Sequence, residues 1–227
     1  WSEPILLAEL SAAYAAFEKG AEAVSLPELP IQYADFAIWQ QKCFEEGAML
    51  DALRYWKRQL GGIEQALTLP TDFARTQTPS NRGAKHHFSL DPTATKQLKN
   101  FSRRENVTPF MTLLTAFQSL LRCYTGVHDI AVGVPVAGRP CFETEGLIGC
   151  FMNILVLRTV VPGNPSFRDL LTATREAALD AYAYQEAPLE KIVEEVQPQR
   201  TPGRWPLFQV LFNFEDFHMP AFTQAGS

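Results

Sequence analysis

The sequence predicts an α/β fold, with strands and helices layered around one core. From about residue 84 onward, short β-branched or apolar runs alternate with segments whose apolar residues recur at helical spacing. Two helix starts carry the same mark, a capping side chain followed by proline, at Asp91-Pro92 and Thr108-Pro109. The 227 residues, 46% hydrophobic and 20% charged, suffice for a buried core of ordinary globular composition.

Taken in order, the chain opens on a helix with Ser2 as its N-cap and Ile5, Leu6, Leu10, Ala13, Tyr14 and Phe17 as its apolar residues, stopped at Lys19-Gly20. Residues 20–30 are polar and proline-marked, a linker. Helices are expected over 33–45 and 49–60, the second closed by Gly61-Gly62, and residues 63–83 read as a long surface loop. Residues 84–90 read as a strand, with Ala84, His86, Phe88 and Leu90 on its inward face. The helix after Thr108 has an apolar stripe of Phe110, Leu113, Leu114, Phe117, Leu120, Leu121 and Tyr124, and ends at Gly126. Residues 129–137 are nearly all small or β-branched, the pattern of a strand buried on both faces. A strand over 151–160, a helix over 167–184 and a last strand over 207–214 complete the order. The run from Glu190 to Glu195 reads as the solvated face of a short helix starting near Pro188. The apolar residues of the tail after His218 find no partner element, so a truncated end is expected.

Charge and composition exclude several function classes. The net charge of −5 comes without a Lys/Arg stripe to track phosphates, so no nucleic acid is expected as a partner. No segment has the length and apolarity of a membrane span or the order of a signal peptide. The four cysteines, Cys43, Cys123, Cys141 and Cys150, lack CxxC spacing. They read as reduced, buried thiols of a cytoplasmic protein, without a disulfide framework or a metal site.

Catalytic signatures are sparse: no nucleophile elbow, phosphate loop or dinucleotide fingerprint is present. One stretch has catalytic spacing, His86-His87-x-x-x-Asp91-Pro92. Adjacent strand residues face opposite ways, so the two histidines cannot share a metal, and Asp91 is accounted for as a helix cap. This pair is read as a decoy, and His128 and His218 as surface residues.

Several segments, in order, resemble the signatures of condensation domains of non-ribosomal peptide synthetases. Trp1-Ser2 resembles the end of Met-His-His-x-x-x-Asp-Gly-Trp-Ser. Tyr33-Ala34-Asp35-Phe36-Ala37-Ile38-Trp39 resembles Tyr-x-Asp-Tyr-Ala-x-Trp, and Tyr55-Trp56-Lys57 follows. Ile148-Gly149-Cys150-Phe151-Met152-Asn153, running on to Arg158, is similar to the Gly-x-Phe-Val-Asn-Thr strand. Tyr184-Gln185-Glu186-Ala187-Pro188-Leu189-Glu190 is similar to Gln-Asp-x-Pro-Phe-Glu. Arg200 to Leu207, with Phe208-Gln209-Val210 after it, resembles the last signature.

The resemblance implies a chloramphenicol-acetyltransferase-like lobe, a mixed β-sheet flanked by helices. Residues 1–25 would be the tail of the N-terminal lobe and 26–227 the C-terminal, acceptor-side lobe. It implies amide formation between a donor acyl or peptidyl thioester and the amine of an acceptor aminoacyl thioester. Both substrates would ride on the phosphopantetheine of upstream and downstream carrier proteins, and the domain itself would bind no cofactor. Further expected partners are the N-terminal lobe and neighbouring synthetase domains. The motif histidine is expected upstream of Trp1, so no catalytic residue is assigned within the chain and the isolated chain is expected to be inactive. Asn153, Gly149, Trp205 and Arg204 are the substrate-channel candidates; Tyr33, Asp35, Trp39, Phe151, Arg158, Pro188 and Glu190 are signature residues with structural readings. Ile154 in place of Thr, Trp205 in place of Asn or Thr, and Thr201 in place of Asp depart from the usual pattern and alter the polar lining expected of such a channel. An epimerisation or heterocyclisation relative, and a non-catalytic module that docks a carrier protein, are the alternatives.

Overall fold

The computed structural model describes residues 1–63, 67–73, 82–160, 162–199 and 203–215. In chain order these form α1 (Ser2–Glu18), α2 (Tyr33–Glu45), α3 (Leu50–Leu60), α4 (Pro92–Arg104), α5 (Pro109–Thr125), β1 (Asp129–Val136), a short 3-10 turn (Phe142–Thr144), β2 (Asn153–Val160), α6 (Phe167–Ala183) and α7 (Leu189–Val196). The described residues are helices plus a small sheet, the mixed α/β class expected. They divide into two compact units. Trp1–Asp51 and Val136–Asn153 fall in one, Ala52–Pro135 and Ile154–Phe214 in the other.

In the first unit the buried cluster is Phe36, Leu147 and Phe151, with Ile31 and Tyr33 packed against it. The 33–45 helix begins where the sequence places it because the Asp35 carboxylate, at the third helical position, accepts the free Gln32 N–H at 2.8 Å. α1 also ends as read, with Gly20 at φ 81° after Lys19. Its start differs. Trp1 is the N-cap and Ser2 the first helical residue, because the Ser2 hydroxyl is engaged by the Gly149 backbone rather than by its own helix.

In the second unit β1 and β2 pair as a two-stranded sheet, with Val132, Leu155, Val156 and Leu157 almost fully buried. α5 packs on α6 and on α4. Both predicted proline-marked starts are present. Asp91 accepts from Thr93 N–H at 2.7 Å, and the Thr108 hydroxyl accepts from Met111 N–H at 3.2 Å. α6 has a full capping box. Ser166 Oγ accepts from Asp169 N–H, while the Asp169 carboxylate accepts from Ser166 N–H and the Ser166 hydroxyl, which holds its carboxyl below the usual range.

Several expectations are corrected. Residues 84–90 form no ladder with any described strand, and all are exposed: Phe88 at 79% and Leu90 at 54%, so the supposed inward face is not inward. Residues 207–214 make only a single parallel bridge, Gly133 to Leu211. The 151–160 strand begins at Asn153. On α5 the buried stripe runs Phe110, Met111, Leu114, Thr115, Gln118 and Leu121, leaving Leu120 and Tyr124 more than half exposed. An i, i+4, i+7 progression through Leu114, Gln118 and Leu121 decides this, even though it brings a glutamine inside. Of the cysteines expected to be buried, Cys123, Cys141 and Cys150 are exposed and Cys43 is half-buried. Charge is less evenly spread than the composition suggests, since Lys96, Lys99, Arg103 and Arg104 all lie on α4. The surface loop over 63–83 holds no helix or strand where it is described; residues 64–66 and 74–81, Arg200, Thr201 and the tail with His218 lie outside the described residues. Among the described residues no helix is long and apolar enough to cross a membrane.

The buried Gln118 is satisfied by two neighbours. Its Nε2 donates to Thr159 Oγ1 at 3.0 Å, and its Oε1 accepts from the Thr174 hydroxyl at 2.8 Å. The amide thereby ties α5 to β2 and α6, donating to one hydroxyl and accepting from the other. Gln118→Leu keeps the volume and strands both hydroxyls, so it is expected to lower unfolding free energy by about 1–3 kcal/mol in urea titrations. Adding Thr159→Val and Thr174→Val is expected to recover most of that loss.

Candidate functional site

A site on the first unit is built around Arg139, directly after the buried strand. β1 ends at Val136 and the chain turns at Gly138, φ 63°, where a Cβ would lie 1.7 Å from the Phe151 carbonyl oxygen. Only glycine permits that approach. The turn delivers Arg139 above the Phe151 ring, with the guanidinium carbon 4.4 Å from the ring centroid. The guanidinium donates to the carbonyls of Thr144 and Leu147, the latter at 2.8 Å, and to Ser2 Oγ at 3.1 Å. Partial burial draws it below the ordinary arginine value, with the Glu145 charge opposing.

Ser2 is the centre of this knot. Its hydroxyl donates to the Gly149 carbonyl at 2.8 Å and accepts from Gly149 N–H at 3.1 Å as well as from Arg139. Donor and acceptor capacity are both used. Gly149 admits no side chain, since a Cβ there would sit 2.3 Å from Tyr33 Cδ2. Tyr33 meets the Phe151 ring edge-on at 5.0 Å and its hydroxyl donates to the Cys150 carbonyl at 3.0 Å. Ser2, Tyr33 and Phe36, and Gly149–Phe151, far apart in sequence, are thus joined in one cluster. Trp39 contributes least: it is half exposed and touches Phe36 at 5.6 Å.

Asn153 closes this segment as the first residue of β2, half-buried. Arg204 and Trp205 belong to the other unit. There Arg204 donates to Thr68 Oγ1 at 3.1 Å, and Trp205, 63% exposed, stacks on Phe208 at 5.9 Å. Gly149 is a packing residue of the knot, and Asn153 lies four residues further on, where β2 begins. Arg139 was missed by sequence reasoning. The available signal was a cation in Gly138-Arg139-Pro140, placed just past a strand buried on both faces.

Further signature residues form a second cluster in the other unit. Trp56 is fully buried and its Nε1–H donates to the Tyr184 carbonyl at 2.9 Å, while Tyr55 stacks on the Tyr184 ring at 4.4 Å. Lys57 pairs with Glu195 of α7 at 2.8 Å. The helix that Pro188 caps is held to α3 in this way, with Glu190 exposed in its first turn. Arg158 makes a two-pronged pair with Asp129 at 2.8 and 2.7 Å and donates to the Gln59 and Gly61 carbonyls at the end of α3, both at 2.9 Å. Its guanidinium is raised first by its hydrogen bonding to Asp129. Among the described residues no group of histidine, cysteine and carboxylate side chains is arranged to hold a metal.

The Condensation domain family model matches residues 1–225. The chain belongs to the condensation domain family. It is 48% identical over 221 residues to one chain of the linear gramicidin synthase of Brevibacillus parabrevis, an alignment covering 97% of this chain and 4% of that protein. Phosphinothricin tripeptide synthetase PhsC of Streptomyces viridochromogenes is 40% identical over 95% of this chain and 20% of its own length. Among solved structures, the X-domain from teicoplanin biosynthesis superposes with a TM-score of 0.85 at 28% identity, covering 92% of this chain and 48% of that one. The first condensation domain of the CDA synthetase gives 0.75 over 99% of this chain and 48% of its own, at 18% identity, a likeness of fold. The chain therefore spans about half the length of these solved domains and a small part of the synthetases. The fold is chloramphenicol-acetyltransferase-like, as the resemblance implied.

Each cluster can be probed by substitution. Ser2→Ala removes the hydroxyl that Arg139 and Gly149 share and is expected to cost about 1–2 kcal/mol. Gly149→Ala is expected to cost as much or more, because the Tyr33 ring must move; urea titration ranks the two. In the other cluster, burial and then the Asp180 charge push the Tyr55 phenol up to about 12. The folded state holds this proton more tightly than the unfolded chain, so its contribution is whole below about pH 10. It is lost as the pH rises through about 12. Tyr55→Phe is expected to flatten that part of an alkaline unfolding curve followed by circular dichroism, leaving the share of Tyr182, which burial raises as well.

Proposed function

We propose that the chain is the acceptor-side portion of an amide-forming condensation domain. The observation that carries this reading is the family match along 1–225, joined to a packed cluster in which the family's separate signatures meet around Ser2 and Arg139. In this reading residues 1–25 continue the N-terminal lobe and 26–227 form the second lobe. A donor acyl or peptidyl thioester and an acceptor aminoacyl thioester, each on the phosphopantetheine of a carrier protein, meet in the channel. The acceptor amine attacks the thioester carbonyl, the carbon–sulfur bond breaks, and the carrier thiol leaves with the amide formed. The domain needs no cofactor of its own and works in the cytoplasm.

Such chemistry requires an unprotonated amine and a donor to the developing oxyanion. The 227 residues do not contain the His-His-x-x-x-Asp-Gly sequence, and in this reading that group is not one of theirs. What this chain supplies is position. Ser2 sits two residues beyond where that motif would end, and its hydroxyl is locked to Gly149 and Arg139. A motif loop joined there is held by the same knot that sets the course of the chain into Asn153, the side chain we assign to the channel.

A docking reading also has support, from the likeness to the teicoplanin X-domain, a second structure of which is a complex with OxyB. One assay separates the two. The chain is mixed with a separately expressed first lobe and loaded donor and acceptor carriers, and the amide is followed by mass spectrometry. Product in the mixture, and none from either part alone, is the expected result. No product from lobes shown to be folded and associated would favour docking. In the active mixture, Asn153→Ala is expected to lower the rate about tenfold or more.

A further inference from the structure

We infer that the open face of α4 is a docking surface for an acidic helix on a protein partner. α4 carries Lys96, Lys99, Arg103 and Arg104 and no carboxylate, in a chain whose net charge is −5. Lys96 and Lys99 are three residues apart and Lys99 and Arg103 four, so like charges lie one above another on the same face. That arrangement opposes helix formation. Arg103, in the last turn, complements the helix dipole; Lys96 and Lys99 do not have that reason to be there.

One cation on each of four other helices has a carboxylate partner. Lys42 of α2 pairs with Glu46, Lys191 of α7 with Glu194, Lys57 of α3 with Glu195, and Arg168 of α6 with Glu105. That last pair occupies the carboxylate at the end of α4. Asp91 at the other end is occupied as the helix cap. The opposite side of α4 is packed, with Ser102 buried and bonded to Thr112 of α5 and Phe101 against Phe167.

Lys96, Lys99 and Arg103 line an open groove of about 570 Å³ together with Leu90, Pro92, Thr95 and Asn100, and among the described residues no carboxylate lines it. Seven residues of helix span about 10 Å, the length of two turns of a facing helix. Carboxylates at matching i, i+3 and i+7 spacing would meet the three cations, and one apolar side chain would cover Leu90 and Pro92. A nucleic acid fits less well. None of the lining residues is aromatic to stack a base, and only Arg103 offers the fork that grips phosphate.

The test uses this chain and a fluorescein-labelled, alanine-based helical peptide with Glu at i, i+3 and i+7 and one leucine beside them, followed by anisotropy at low salt. Saturable binding is expected, falling as salt rises, and weaker by about tenfold or more for Lys96→Glu/Lys99→Glu/Arg103→Glu. Lys96→Gln/Lys99→Gln relieves the repulsion and is expected to fold at least as well by circular dichroism while still losing binding. Equal binding by the charge-reversed chain, or no saturable binding at low salt, would overturn the inference. So would tighter binding of a single-stranded oligonucleotide of equal charge, which would make the face a phosphate-binding one.

Discussion

One serine hydroxyl carries the organisation of the first unit. Ser2 Oγ is shared by both polar groups of Gly149 and by Arg139, and each of those is committed elsewhere. Gly149 is pressed against Tyr33; Arg139 lies on Phe151 and ties down the turn through Leu147. A half-buried guanidinium is costly to strip of water unless its donors are used. Here they go to carbonyls and to that hydroxyl, so the loop over 139–149 has little freedom to take another path. The start of α1, the turn after β1 and the approach to β2 are therefore aspects of one polar knot capped by aromatic rings.

The second unit solves a similar problem with different groups. Arg158 bridges strand to strand through Asp129 and strand to helix through the carbonyls that end α3. Trp56 and Tyr55 then hold the turn after α6. Gln118 sets helix against strand from the inside. In each case a polar group with several bonds to make is placed where only one packing satisfies all of them. Apolar side chains of similar volume would tolerate neighbouring registers; these do not. Signature residues and packing residues overlap in such a design, which is why Gly149 and Arg158 read as structural while still belonging to the family's signatures.

Much of this was legible in the sequence, for local reasons. Capping at Asp91 and Thr108, the glycine stops and the helical periodicity depend on residues within a turn or two of one another, so element order and most boundaries were readable. The short segments were less so. Residues 84–90 have a strand's composition yet lie exposed and unpaired among the described residues, and residues 207–214 contribute one bridge. Whether an extended segment becomes a strand depends on a neighbouring edge, which its own residues do not encode. The inward turn of Gln118, and the outward turn of Leu120, were equally hidden because a stripe of apolar residues does not say which edge of the stripe the neighbours cover.

By itself the sequence determined the family, through ordered signatures whose spacing survives without any coordinate, and the α/β class, through the alternation of periods. Tertiary structure alone decided that Ser2 meets Gly149 and that an arginine outside those signatures joins them. The reason is physical. Hydrogen bonds between residues 137 and 147 positions apart, as from Ser2 to Arg139 and Gly149, exist only once the intervening chain has packed, and nothing in either partner's neighbourhood announces the other.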